Sequence, residues 1–197
     1  NDAIDHFMLF CSLDSWGEQA EYIRNGLDFD VLYKNVTQFL QESQKHSLTF
    51  IITANLLSLP NWLEYIKQIH KLRCEFNTDR QLIWFDTPML HDPKWMSMQL
   101  ANDEMLQSLQ QSIDYMKENP ETANNRFKGF KDYEVDKVKR LLDWAQQPLN
   151  TDVKQIAMRN FNTFFKEHDR RRNTDINKTF PELKDFIQQC EAIDARR

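Results

Sequence analysis

The sequence predicts an α/β protein whose parallel strands alternate with helices and are followed by a helical extension. Three short apolar runs carry this prediction, at residues 7–11, 48–54 and 82–85, and stretches with helical spacing separate them. A strand–helix–strand–helix–strand order is typical of a parallel sheet. From residue 102 onward the apolar pattern is helical throughout. We therefore expect an α/β region over residues 1–101 and a helical region over residues 102–197.

The apolar runs have the composition of buried strands. The first, FMLFC at Phe7–Cys11, is continuous and apolar, which indicates a strand buried on both faces. The second, LTFIITA at 48–54, is rich in β-branched residues, and the third, LIWF at 82–85, ends in a polar segment. Between them, apolar residues recur at helical spacing over about 28–42 and 61–72, which predicts two helices.

Four helices are predicted in the second half of the chain. The first spans about 102–119, and the second carries its apolar stripe over 135–145. Asn150 or Thr151 is expected to cap the third, which extends through an apolar stripe to Phe165. The segment Thr179–Glu182 has the pattern of a capping box and predicts the start of the fourth.

Composition and charge argue against several classes of protein. The net charge of −5 argues against a nucleic-acid partner, because such binding depends on neutralising phosphates. No apolar run approaches the roughly 18 residues of a membrane span, and with only three glycines no GxGxxG or Walker-type loop can be written. Cys11, Cys74 and Cys190 are odd in number and have no metal-site spacing. We expect a cytoplasmic protein without disulfides and without a metal site in this chain.

Polar residues follow each predicted strand. They are Ser12 and Asp14 after the first, Thr53 and Asn55 at the second, and Asp86 and Thr87 after the third. The carboxyl ends of parallel strands meet at one edge, where α/β proteins bind ligands, so we expect a ligand site there. For the first strand a local alternative stays open, in which Asp14 or Ser15 caps the next helix.

One charged segment stands out in the helical region, HDRRRNTD at His168–Asp175. Its three consecutive arginines could hold a carboxylate or a phosphate through paired hydrogen bonds. The alternative, which we favour, is a salt-bridged helix end, where arginine also suits the helix dipole.

Four segments together resemble a known enzyme family. Residues 12–36, SLDSWGEQAEYIRNGLDFDVLYKNV, resemble the segment that follows the fourth barrel strand of radical S-adenosylmethionine (radical SAM) enzymes. FIITANLLSL at 50–59 resembles the fifth strand of that family, and WFDTPML at 84–90 resembles the sixth. The tail FFKEHDRRRNTDINKTFPEL at 164–183 is similar to members that carry a short carboxyl-terminal twitch domain.

The resemblance implies the carboxyl-terminal half of a partial (β/α)6 barrel. Such enzymes use a 4Fe–4S cluster to cleave S-adenosylmethionine to a 5′-deoxyadenosyl radical, which abstracts hydrogen from a substrate. The family's cysteine-x3-cysteine-x2-cysteine loop and its glycine-glycine-glutamate element are both absent from this chain. The resemblance places them before Asn1, so this fragment alone would be inactive. It further implies a small-molecule or peptide substrate and a reductant protein as partners.

Four residues match the family's cofactor-binding positions. Ser12 resembles the ribose contact, and Arg24 resembles the basic residue that binds the methionyl carboxylate. The resemblance leaves two roles open for Asp14, which either orients Arg24 or caps the helix. It leaves two for Asn55, which reaches either the ribose or a neighbouring backbone group.

A function from another class also fits the sequence. Without the cysteine loop, the chain could be a non-catalytic α/β–helical interaction module. The upstream reading frame discriminates the two, because a cysteine-x3-cysteine-x2-cysteine loop before Asn1 would indicate the enzyme. If the chain is half of a barrel, it should also expose apolar surface at its open edge.

Overall fold

Three parallel strands form one open sheet in the order β1-β2-β3. The computed structural model describes residues 5–42 and 45–194; the outer ends of the two predicted regions and residues 43–44 lie outside the described residues. The strands are β1 Met8–Ser12, β2 Ser47–Ile51 and β3 Ile83–Asp86. The helices are α1 Glu18–Ile23, α2 Phe29–Glu42, α3 Trp62–Phe76, α4 Asp103–Glu118, α5 Asp132–Ala145, α6 Thr151–Arg172, α7 Ile176–Thr179 and α8 Lys184–Asp194. The predicted α/β order and helical extension are confirmed.

The sheet register places the polar strand ends at one edge. Leu48 of β2 lies between Leu9 of β1 and Ile83 of β3, and Ile51 lies between Ser12 and Asp86. Pairing continues past β2 and β3, where the Ala54 N–H donates to the Pro88 carbonyl at 2.7 Å. The carboxyl ends of all three strands therefore lie side by side, as the alternating sequence pattern predicts.

The prediction that the first strand is buried on both faces is wrong. Met8 is 42% exposed and Phe10 is 60% exposed, and Ser12 on the same face is exposed as well. β1 pairs only with β2 within the described part of the chain, so it is an edge strand. A continuous apolar run is compatible with burial on both faces, but burial depends on which elements pack over each face: β3 is also at an edge of the sheet, and its Ile83 and Phe85 are buried.

The helical extension follows the predicted order, with one correction. Asn102 and Asn150 cap α4 and α6, the latter by accepting from the Asp152 N–H at 2.9 Å. The capping box predicted at Thr179–Glu182 is wrong, because Thr179 is the last residue of α7. A short 3₁₀ turn at Pro181–Leu183 precedes α8, and no side chain caps it.

A buried ion pair joins the sheet to the helical extension. The guanidinium of Arg73 on α3 bonds both carboxylate oxygens of Glu134 on α5, at 2.6 and 3.2 Å. Arg73 also donates to the carbonyls of Ile83 and Gly129. Both side chains are inaccessible to solvent, at 0% and 1% exposure. The pair fixes α5 against the β3 end of the sheet.

The remaining helices pack around this unit. α4 lies against both α3 and α5, and α6 packs against α8 and against a 3₁₀ turn at Lys94–Met96 that follows β3. Among the residues that the structure describes, no helix combines the length and apolar character needed to cross a membrane.

Candidate functional site

An ion pair occupies the carboxyl end of β1. Asp14 Oδ2 accepts from Arg24 Nη2 at 2.9 Å, and Asp14 Oδ1 accepts from the backbone N–H of Thr53 at 3.0 Å. Asp14 is buried at 8% exposure, whereas the Arg24 side chain is 38% exposed. One carboxylate thus ties the loop after β1 to the end of α1 and to the segment after β2.

Asp14 orients Arg24 and does not cap α1. The helix begins after Gly17, and no side chain bonds its first turn as a cap. Glu21, the other carboxylate that could pair with Arg24 on the helix, accepts instead from the Phe29 N–H at 2.8 Å. Of the two roles left open for Asp14, the structure shows the contact with Arg24, while the role of Arg24 toward a ligand stays a prediction.

The guanidinium of Arg24 keeps unused donors. Its Nε is buried and has no hydrogen-bond partner within the described residues. The hydroxyl of Tyr65, on α3, is likewise buried without a partner in that part of the chain. Burial is the main reason that the pKa of Tyr65 is raised, with nearby Cys11 and Asp14 adding to it. The sequence indicated Tyr65 only as an apolar helix position, because periodicity does not report where a hydroxyl points.

Ser12 and Asn55 differ in their surroundings. Ser12 is exposed at the last position of β1, and its hydroxyl makes no hydrogen bond to the described residues. Asn55 is 3% exposed; its amide donates to the Thr53 carbonyl at 2.8 Å and its oxygen accepts from the Leu57 N–H at 2.9 Å. Of the two roles left open for Asn55, the structure shows the contact with neighbouring backbone.

The polar residue at the end of β3 bonds helix α5. Asp86 accepts from Lys137 Nζ of α5 at 2.8 Å. This hydrogen bond is the main reason that the pKa of Asp86 is lowered. Polar residues from all three strand ends were predicted to lie together. Asp14 does bond the backbone of Thr53, whereas the side chain of Asp86 bonds the helical extension instead.

A second polar cluster joins α1 to α6. Asp169 Oδ1 accepts from the Tyr22 hydroxyl and from Thr174 Oγ1, both at 2.7 Å, and from His168 Nδ1 at 3.2 Å. Its Oδ2 accepts from the Ile176 N–H at 2.8 Å. Burial alone would raise the pKa of Asp169, but these hydrogen bonds outweigh it and the pKa is lowered. No motif in the sequence indicated that Tyr22 and Asp169 meet.

The three consecutive arginines, Arg170–Arg172, have different partners. Arg170 and Arg171 both bond Glu167, and the hydrogen bonds from these two arginines lower the pKa of Glu167 to about 2. This is the salt-bridged helix end that we favoured from the sequence. Arg172 differs, because its Nη1 lies 2.9 Å from His168 Nε2.

The cysteines do not converge. Cys11 lies on β1, Cys74 on α3 and Cys190 on α8, and burial is the main reason that the pKa of the Cys11 thiol is raised. Across residues 5–42 and 45–194, no three His, Cys, Asp or Glu side chains are placed to hold a metal ion. No protein-family model, curated protein or solved structure matches this chain.

Proposed function

We propose that this chain is the carboxyl-terminal part of a twitch-domain radical SAM enzyme, supplying the fourth to sixth strands of a partial (β/α)6 barrel. The Asp14–Arg24 pair carries the proposal. It fixes a partly exposed guanidinium at the carboxyl edge of a parallel sheet, where the methionyl carboxylate of S-adenosylmethionine would need a cation. The order of three adjacent parallel strands with intervening helices supports the same interpretation.

The residues at this edge fit S-adenosylmethionine. Arg24 bonds Asp14 through Nη2 and its side chain is 38% exposed, so a ligand carboxylate would find donors on the exposed side of the guanidinium. Ser12 presents a hydroxyl that can both donate to and accept from a ribose. Asn55 would support the cofactor site indirectly, by holding the backbone of the segment 53–57, because its side-chain amide already bonds backbone groups there.

The same residues do not fit the 4Fe–4S cluster. Cluster binding requires converging thiolates, and the three cysteines of this chain lie on separate elements. We propose that the cluster ligands belong to sequence that precedes Asn1 in the intact enzyme. A reductant protein would deliver the electron there, and the substrate would be a small molecule or a peptide.

The experiment is reductive cleavage of S-adenosylmethionine by the natural full-length product. After anaerobic cluster reconstitution and reduction with dithionite, 5′-deoxyadenosine should accumulate, and Arg24→Ala should lower its rate at subsaturating S-adenosylmethionine. Arg170→Ala is the matched control, because Arg170 is exposed and, within the part of the chain that the structure describes, its side chain bonds Glu167 on its own helix. A full-length product that forms no 5′-deoxyadenosine would overturn the proposal and favour the interaction module.

A further inference from the structure

A small aromatic cavity lies between α1 and α6. Its volume is about 170 Å³, and its wall includes Tyr22, Leu57, Trp95 and Phe164. The rings of Trp95 and Phe164 stack on each other with centroids 4.3 Å apart. Phe164 is 44% exposed, so the cavity opens toward solvent on this side. An apolar cavity of roughly 150 Å³ can hold one benzene ring, and this one has room for a single six-membered ring.

The lining of this cavity includes the cationic side chain of Arg172, although the chain as a whole is acidic. His168 and Arg172 are the charged or titratable nitrogen groups of its lining, and no carboxylate lines it. Asp169 lies behind His168, where its oxygens accept four hydrogen bonds from other groups. A ligand in the cavity therefore faces the cation of Arg172.

Arg172 is free to bind an anion. Arg170 and Arg171 are both paired with Glu167, but among the described residues no carboxylate lies within ion-pair distance of Arg172. Arg172 donates to His168 Nε2 through one nitrogen, Nη1. For Nε2 to accept, the neutral His168 ring carries its proton on Nδ1, which faces Asp169. A guanidinium has five N–H donors, so a carboxylate can be bound while this contact persists.

We propose that this cavity binds a single-ring aromatic carboxylate, with the ring against Trp95 and Phe164 and the carboxylate on Arg172. The carboxylate can belong to a free aromatic acid or to an aromatic residue at the carboxyl terminus of a peptide. The site uses neither Asp14 nor Arg24 and is independent of the function proposed above.

The probe for this site is 3-phenylpropionate, titrated into the full chain and followed by calorimetry or ligand-observed NMR. We expect saturable binding of one molecule, weakened about 10-fold or more by Arg172→Gln. Arg171→Gln is the matched control, one residue earlier and paired with Glu167, and should leave binding unchanged. The neutral analogue 3-phenylpropanamide should bind weakly and equally to the native chain and Arg172→Gln.

Two arms distinguish the source of the carboxylate. A short peptide ending in phenylalanine is compared with its carboxyl-amidated form and with 3-phenylpropionate. Binding by the free acid supports a small molecule, and binding by the peptide alone, lost on amidation, supports a peptide terminus. Phe164→Ala, at an exposed position, should weaken either one. No binding at millimolar concentrations of both probes, or equal losses in Arg171→Gln and Arg172→Gln, would overturn the proposal.

Discussion

Neutralising Glu134 should strongly destabilise the fold. In Glu134→Gln the side chain keeps its size but loses the charge that Arg73 contacts at 2.6 and 3.2 Å. Arg73 is 0% exposed, so its guanidinium would remain buried without a counter-charge. Breaking a buried pair in this way typically costs about 3–5 kcal/mol. Against a typical total stability of about 5–15 kcal/mol, the loss should be plain in the urea unfolding free energy.

An exposed ion pair provides the control. Lys166 and Glu191 are 60% and 50% exposed and 3.7 Å apart, and Lys166→Met should cost at most about 1 kcal/mol. The double variant Arg73→Met/Glu134→Leu should recover part of the loss, because apolar side chains remove both buried charges together. If Glu134→Gln and Lys166→Met lost the same free energy of unfolding, the structural role assigned to the buried pair would be refuted.

Three further predictions concern the exposed Phe10 on β1, the Asp14–Arg24 ion pair and the hydrogen bonds of Asp169. Phe10, at 60% exposure on an edge strand, should promote self-association, and Phe10→Lys should reduce it in analytical ultracentrifugation; a native chain that stays monomeric would contradict this. Asp14→Ala should cost about 1.5–3 kcal/mol of unfolding free energy, because it removes the hydrogen bonds from Arg24 and from the Thr53 N–H. Asp14→Asn should cost less, because the amide oxygen can still accept from Thr53. Equal losses in the two variants would count against the bond to Thr53. The folded-state pKa of Asp169 lies below its ordinary value of 3.8, so its contribution is present above that value and is lost as pH falls through the folded pKa. Acid unfolding should therefore be less steep below about pH 4 in Asp169→Asn, and parallel curves would refute the assignment.

The parallel sheet could be predicted because its signals are local. Each strand lies within a few residues of an apolar run, and the intervening stretches have helical spacing. Exposed apolar surface at an open sheet edge was expected if the chain is half of a barrel, but its assignment to Phe10 could not be predicted, because an apolar run does not show which face of a strand stays uncovered. That depends on which elements pack over each face of the sheet.

The candidate site could be predicted in part. Asp14 and Arg24 are ten residues apart, and the turn after β1 and the short helix α1 bring them together much as their order suggests. Asn55 looked equally suitable for a ligand, but its side chain bonds the backbone of its own turn. A short polar side chain can bond either a ligand or a nearby backbone group, and the sequence does not show which of the two bonds forms.

The burial of Arg73 left only a weak signal in the sequence. An arginine in a helix normally extends into solvent. Its spacing from Ile69 and Phe76, four residues before and three after, places it on the apolar stripe of α3. Its partner Glu134 lies 61 residues further along the chain, so no local pattern could identify the pair.

The most direct test of the proposed function compares S-adenosylmethionine with its decarboxylated analogue. Calorimetry on the reconstituted full-length product measures both affinities, in the native protein and in Arg24→Ala. A charge-assisted hydrogen bond of about 1.5–3 kcal/mol predicts that the native protein prefers S-adenosylmethionine by at least about tenfold. Arg24→Ala should bind the two ligands equally. A native preference that survived unchanged in Arg24→Ala would contradict the assignment of Arg24 to the methionyl carboxylate.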